Sequence, residues 1–265
     1  MRNPSGHREA HVVTVGTSIL RNAASRASGD LAGRLRSWAS ARVGSREDAE
    51  AGERAAPGTP EFKFLYDVLA LDPRGVSAEL NAMWPYLEAG RVAAAYLLAS
   101  DSGASTLCAS VLKEYLGEHG VEVEVERVAD LGRDFDKGLY NLLDALSRAV
   151  EGYRRRGYAV YVNATGGFKP ETAVVYAAAS LFGASRVYYI HETMGEVVEL
   201  PTLPLALSPG YEDFARLLEE PLARRELEAK VRPEAIKDAL ARGILVEEGS
   251  QLRVRRWVRL LLGAR

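Results

Sequence analysis

The stretch Ala159-Val-Tyr-Val-Asn-Ala-Thr-Gly-Gly-Phe-Lys-Pro170 decides the fold. Its first five residues, Ala159 to Asn163, are apolar on both faces, as a central parallel strand covered by helices on either side must be. Thr165-Gly166-Gly167 then turns the chain. Beyond Pro170, Val174, Val175, Ala178, Leu181 and Phe182 recur at the 3.6-residue period of a helix lying on a sheet. Strand, glycine turn and helix together form the repeating unit of a doubly wound α/β protein.

The same unit recurs outward from this stretch. His11 to Val15 ends at Gly16-Thr17-Ser18. Val92 to Ala99 ends at Ser100-Asp101-Ser102-Gly103 and leads into a stripe of Leu107, Val111, Leu112 and Tyr115. Arg186 to Ile190 is a fifth strand, and Glu196 to Leu200, after the turn at Met194-Gly195, a sixth candidate. Val121 to Val128 differs, because Val121, Val123 and Val125 alternate with Glu122, Glu124 and Glu126. That is a strand with one wet face, which places it at a sheet edge. The spatial order 3-2-1-4-5 satisfies these constraints and keeps the crossovers right-handed. The expected fold is therefore α/β, a doubly wound, mostly parallel Rossmann-like sheet.

Residues 21–91 are too many for one crossover helix. Asp30 to Arg42, Glu61 to Leu71 and Ser77 to Leu87 read as helices, the last with Ser77 as N-cap. Residues 43–60, rich in Gly, Ala, Glu and Arg with Pro57 and Pro60, read as a mobile loop. Pro201, Pro204 and Pro209-Gly210 mark a boundary, giving expected domains of 8–207 and 208–265. In the second, Tyr211 to Val231 is helical with a break at Pro221. Pro233 to Arg242 is a short helix, and 244–246 with 251–258 form a hairpin. Helices followed by a hairpin indicate a small winged-helix-like domain.

Composition excludes several classes. The 265 residues are 26% charged with a formal net charge of −2, so overall charge gives no support for duplex DNA binding. From Tyr211 onward, 12 Lys/Arg face 10 Asp/Glu. Only the cluster Arg253-Val-Arg255-Arg256 keeps DNA open as a partner, and not the favoured one. The single cysteine, Cys108, lies in an apolar run and reads as a core residue in a reducing compartment. The N-terminus has no apolar h-region and no window is long enough to span a membrane, so a cytoplasmic protein is expected. The four histidines, His7, His11, His119 and His191, are scattered, and neither a metal site nor a cofactor is expected.

In such a sheet, ligands bind outside the carboxyl ends of the strands where the order reverses, here between strands one and four. The loops at that point are Gly16-Thr17-Ser18 and Thr165-Gly166-Gly167-Phe168-Lys169. Glycines let backbone N–H groups approach a phosphate, hydroxyls donate to it, and a lysine at a helix entry adds full charge. Each loop alone also reads as a plain turn with a helix cap; their pairing at one switch point is more specific. Neither G-x-G-x-x-G nor G-x-x-x-x-G-K-[ST] is present, which argues against NAD and ATP.

The pair Val13-Thr-Val-Gly-Thr-Ser18 and Asn163-Ala-Thr-Gly-Gly-Phe-Lys169 resembles the CRISPR-associated Rossmann fold (CARF) family, and more closely its ring-nuclease branch. The resemblance implies a homodimer that binds cyclic tetra-adenylate across its two-fold axis. It also implies slow, metal-independent cleavage to linear di-adenylate with a 2′,3′-cyclic phosphate. Its catalytic serine and lysine fall on Ser18 and Lys169. Ligand-binding positions are expected at Gly16, Thr17, Arg21 and Asn22 around strand one. After strand two they are expected at Ser100, Asp101, Ser102, Gly103 and Ser105, and after strand four at Asn163, Thr165, Gly166, Gly167 and Phe168. The family's sensor ribonucleases need an Arg-x(4–6)-His motif after the Rossmann domain, and no histidine follows His191. A CARF transcription regulator that uses its tail on DNA is the stronger rival. A nucleotide-binding Rossmann protein outside this pathway is the third reading.

Overall fold

The structure, a computed structural model, describes residues 8–167, 169–190, 195–218 and 220–263, excepting the side chains of 169, 213 and 214. The chain divides into two units, Met1–Leu203 and Pro204–Arg265.

The first unit opens with β1 (Glu9–Val15), every residue of which is buried. Then α1 (Ser18–Ala24), α2 (Gly29–Ala39), α3 (Arg46–Glu53), α4 (Pro60–Leu71), α5 (Pro73–Val76) and α6 (Ala78–Glu88) intervene before β2 (Val92–Ala99). After β2 the alternation is regular: α7 (Gly103–Glu118), β3 (Glu122–Arg127), α8 (Phe135–Arg155), β4 (Ala159–Asn163), α9 (Lys169–Leu181), β5 (Arg186–Ile190) and β6 (Val197–Leu200). The sheet order is β3-β2-β1-β4-β5-β6, parallel except for β6, which runs antiparallel to β5. The expected α/β sheet and its strand order are observed, and the sixth candidate closes the far edge.

One expectation needs correction. Residues 43–60 are not one loop, because α3 occupies their centre. Ser45 accepts the Asp48 N–H at 3.2 Å as its N-cap, and Thr59 caps α4 by accepting the Phe62 N–H at 3.3 Å. No apolar stripe announces α3, whose only buried residues are Asp48 and Ala51. The edge strand β3 keeps its expected wet face: Glu122 and Glu124 are exposed and Glu126 is half-buried. Tyr96 donates to Glu126 at 2.6 Å, Tyr153 donates to Glu124 at 3.1 Å, and Arg156 binds Glu122 at 3.0 Å. Side chains from β2, from α8 and from Arg156 just beyond it thus pair with these carboxylates and leave Glu122 and Glu124 in solvent.

The inserted helices pack with α7 on one face of the sheet around Trp38, Leu65, Leu69, Leu80, Met83, Leu97 and Leu107. At the amino ends of the central strands this core holds a polar cluster. Glu9 and His11 are both fully buried. Arg91 donates to Glu9 at 2.6 Å, and His11 Nδ1 shares a 2.7 Å hydrogen bond with the Tyr188 hydroxyl. The Tyr86 and Tyr161 rings pack on His11 at 5.1 and 5.3 Å. Burial holds the His11 imidazole below its ordinary value against the opposing pull of Glu9.

The second unit runs α10 (Pro209–Leu217), β7 (Leu222–Ala223), α11 (Arg224–Glu228), α12 (Pro233–Ala241), β8 (Leu245–Glu248), β9 (Gln251–Val254) and α13 (Arg256–Gly263). Its antiparallel sheet has the order β7-β9-β8. The expected long helix from Tyr211 is broken at Pro221, and Leu222 pairs with Leu252 instead. The last strand stops at Val254, where α13 buries Trp257 and Val258. Among the described residues, no helix is long and apolar enough to cross a membrane.

Candidate functional site

A cavity of 470 Å³ opens at the carboxyl ends of β1 and β2 and reaches from the loop before α8 to the loop before α9. Its volume is ordinary for a small-molecule site. Thr14, Gly16, Thr17 and Arg21 line it from the first strand and helix, Ser100 and Ser102 from the second strand, and Gly167 and Glu171 from the fourth. Six residues expected from the sequence therefore share one wall system: Gly16, Thr17, Arg21, Ser100, Ser102 and Gly167.

The two switch-point loops meet because glycine permits it. A Cβ on Gly166 would stand 2.3 Å from the Thr14 carbonyl oxygen and 2.8 Å from the Gly16 nitrogen. The Thr14 hydroxyl donates to the Gly166 carbonyl at 2.8 Å and so ties the loops. Gly167 has φ +96, and a Cβ there would lie 2.3 Å from Glu171 Oε2. Asn163 is fully buried; its amide donates to the Glu79 carbonyl at 3.0 Å while Oδ1 accepts from Thr165 Oγ1 at 2.6 Å. Asn163, Thr165 and Gly166 thus shape the loop from beneath and do not line the cavity.

Ser18 is engaged elsewhere. Its hydroxyl donates to Glu79 Oε2 at 2.7 Å and accepts the Ala78 N–H at 3.2 Å, and it is not part of the cavity lining. Glu79 is 1% exposed and also accepts from the Gly16 N–H at 2.9 Å and the Ser77 hydroxyl at 2.8 Å. The donors that a glycine turn would offer a phosphate are thus held by a carboxylate from α6. The turn after β2 is treated alike, since Asp48 Oδ1 accepts the Ala104 N–H at 3.2 Å. Gly103 lies under α3, where a Cβ would meet the Asp48 carbonyl oxygen at 1.9 Å.

The remaining expected residues are structural neighbours of the cavity. Ser105 is buried and donates to the Val15 carbonyl at 2.9 Å. Asn22 donates to the Val76 carbonyl at 3.0 Å. Asp101 pairs with Arg127 at 2.8 Å and Arg133 at 3.6 Å. Lys169 opens α9, with its side chain outside what the structure describes, and Phe168 and His191 lie outside the described residues. Cys108 is fully buried, and burial with the nearby Glu79 charge pushes its thiol up to about 12, so it is an inert core residue.

Sequence reading missed the contribution of the inserted segment: Glu79 and Asp48 as internal anions, and Arg42 and Val43 as lining. Glu79 and Asp48 sit in the first turns of their helices, where an acid is ordinary. Nothing local tells that their oxygens serve a turn some sixty residues away. Among the described residues, no group of three His, Cys, Asp or Glu side chains is placed to share a metal ion.

Residues 74–203 match the family model described as "CRISPR-associated protein (Cas_APE2256)". The match begins in α5 and runs through β6, so it takes in α6 with Glu79 and the loops after β2 and β4, and omits the Gly16-Thr17-Ser18 turn. From Arg74 to Leu203, then, this chain is similar to a CRISPR-associated family.

Proposed function

We propose that the cavity binds a cyclic oligoadenylate, cyclic tetra-adenylate in the first instance, and that the protein cuts it to linear di-adenylate with a 2′,3′-cyclic phosphate, ending type III CRISPR signalling. The observation that carries this reading is the cavity at the switch point, walled by hydroxyls, glycines and arginines, in a chain similar to a CRISPR-associated family. A ring with two-fold symmetry is best held by two copies related by a two-fold axis, each giving one cavity. RNA supplies its own nucleophile, the ribose 2′-OH, so positioning and charge neutralisation are what the protein must add. Lys169, at the α9 entry, is the group proposed to meet the developing charge. Thr17, which lines the cavity, is the residue of the first turn proposed to face the ligand. Ser18 is a positioning residue, aligning the turn through Glu79.

The test is incubation of the full chain with cyclic tetra-adenylate in EDTA, with products followed by chromatography. The expected product is the linear di-adenylate at a rate undiminished by the chelator. Loss of activity in EDTA, restored by magnesium or manganese, would overturn the metal-free route. Tight binding with an uncut ring would favour the second reading, a ligand-controlled transcription regulator. That reading is supported by the helix, strand, helix, helix, hairpin order of the second unit, which is the order of a winged helix. A gel shift with duplex DNA checks it.

A further inference from the structure

Resting on the reading that the cavity takes a phosphodiester ligand, we propose that Arg42, carried by the inserted segment, and Arg21 of α1 form the phosphate clamp of this site. Four observations converge. Both residues line the cavity. Neither guanidinium has a hydrogen bond or ion pair among the described residues, whereas Arg127 and Arg133 nearby are both held by Asp101. Three turn donors beside the cavity are already taken up: the Gly16 N–H and Ser18 hydroxyl by Glu79, and the Ala104 N–H by Asp48. An incoming phosphate therefore finds its donors on side chains and not on those turns. Against them stands one lining carboxylate among the described residues, Glu171, whose charge the two arginines have to outweigh for a phosphate to bind.

The fourth observation is that the turn bearing Arg42 is built to be rigid. Gly44 has φ +79 and donates its N–H to Asp48 Oδ2 at 2.9 Å, and the Ser45 N–H returns to the Arg42 carbonyl at 2.9 Å. The Val43 side chain seats against Gly132, where a Cβ would lie 3.3 Å from it. Asp48 bolts the same segment to α7 through Ala104, and the Thr17 hydroxyl reaches the Ala39 carbonyl at 3.2 Å from the other side. The backbone is held while the guanidinium stays unpaired. A planar fork on a fixed base suits bidentate recognition of a phosphate, and two such forks from separate elements grip one phosphodiester from two directions.

Calorimetry on the full chain tests this, with cyclic tetra-adenylate and, separately, inorganic tripolyphosphate as probes. Arg42→Ala and Arg21→Ala should each weaken cyclic tetra-adenylate binding about 10- to 100-fold, the range of one lost charge-assisted contact. Each should lower the slope of log affinity against log salt by about 0.7. Arg42→Lys should recover part of the affinity, and Arg46→Ala, which removes an exposed arginine paired with Glu50, should change nothing. If the parent binds the ring and the Arg42 and Arg21 variants bind it as tightly, the clamp is overturned and the proposed function stands. If the parent ignores the ring but binds tripolyphosphate in an Arg42-dependent way, the clamp stands and the ring reading falls. Failure of the parent to bind either probe overturns both.

Discussion

Glu79 shows what a single buried carboxylate can do at the end of a strand. It satisfies three donors, the Gly16 N–H and the Ser18 and Ser77 hydroxyls, from a position 1% exposed. Glu79→Ala would leave those donors unpaired, at a cost of about 2–4 kcal/mol. The melting temperature should fall, and added phosphate should raise that of the variant more than that of the parent, because the emptied turn becomes an anion site. Equal phosphate responses would show that the turn holds Glu79 without being able to hold a phosphate. His11 makes a second prediction at this scale. Burial lowers its folded pKa below the ordinary value of 6.5, so the unfolded chain takes up the proton first as pH falls. The stability that neutral His11 confers is complete above about pH 6.5 and is lost as pH drops from there towards the depressed value. Urea midpoints at pH 7.5 and 5.5 should differ in the parent and differ less in His11→Gln, whatever that variant's baseline. Residue types at the switch point were legible because Gly16-Thr17-Ser18 and Thr165-Gly166-Gly167 each follow a strand. Their partners were not, since Glu79 reaches Ser18 across 61 positions of sequence.

At the scale of elements, strands and inserted helices were legible to different degrees. Apolar runs bounded by turn residues placed β2, β4 and β5 at the residues observed. The helix α3 was invisible because it owes its existence to a cap and to docking, not to an apolar stripe. That docking is close enough to test. A Cβ on Gly103 would stand 1.9 Å from the Asp48 carbonyl, which is backbone and cannot swing away. Gly103→Ala should therefore push α3 off α7 and destabilise the protein by about 1–3 kcal/mol, read from denaturant unfolding. An unchanged midpoint would mean that α3 sits on α7 more loosely than the structure has it. The glutamates of β3 teach the complementary lesson. Alternation marks the edge strand and its wet face correctly, yet the partners of its glutamates, Tyr153 of α8 and Arg156 just beyond it, meet them only in space.

For the whole molecule, the proposed shared site requires a partner. Light scattering at micromolar concentration should give a dimer without ligand, and a monomer would count against a ring held across two cavities. The sheet also sets a problem of timing. β1 lies at the centre of the sheet and is buried along its full length, but both strands that flank it, β2 and β4, come later in the chain. More than seventy residues separate Val15 from the start of β2. At about 5–20 residues per second, a nascent β1 waits several seconds on the ribosome with both edges bare. Throughout that wait it is an apolar template for any other extended chain. The helices encoded directly behind β1 are the first cover it can meet, so the inserted segment is placed to guard the strand during synthesis as well as to wall the cavity afterwards.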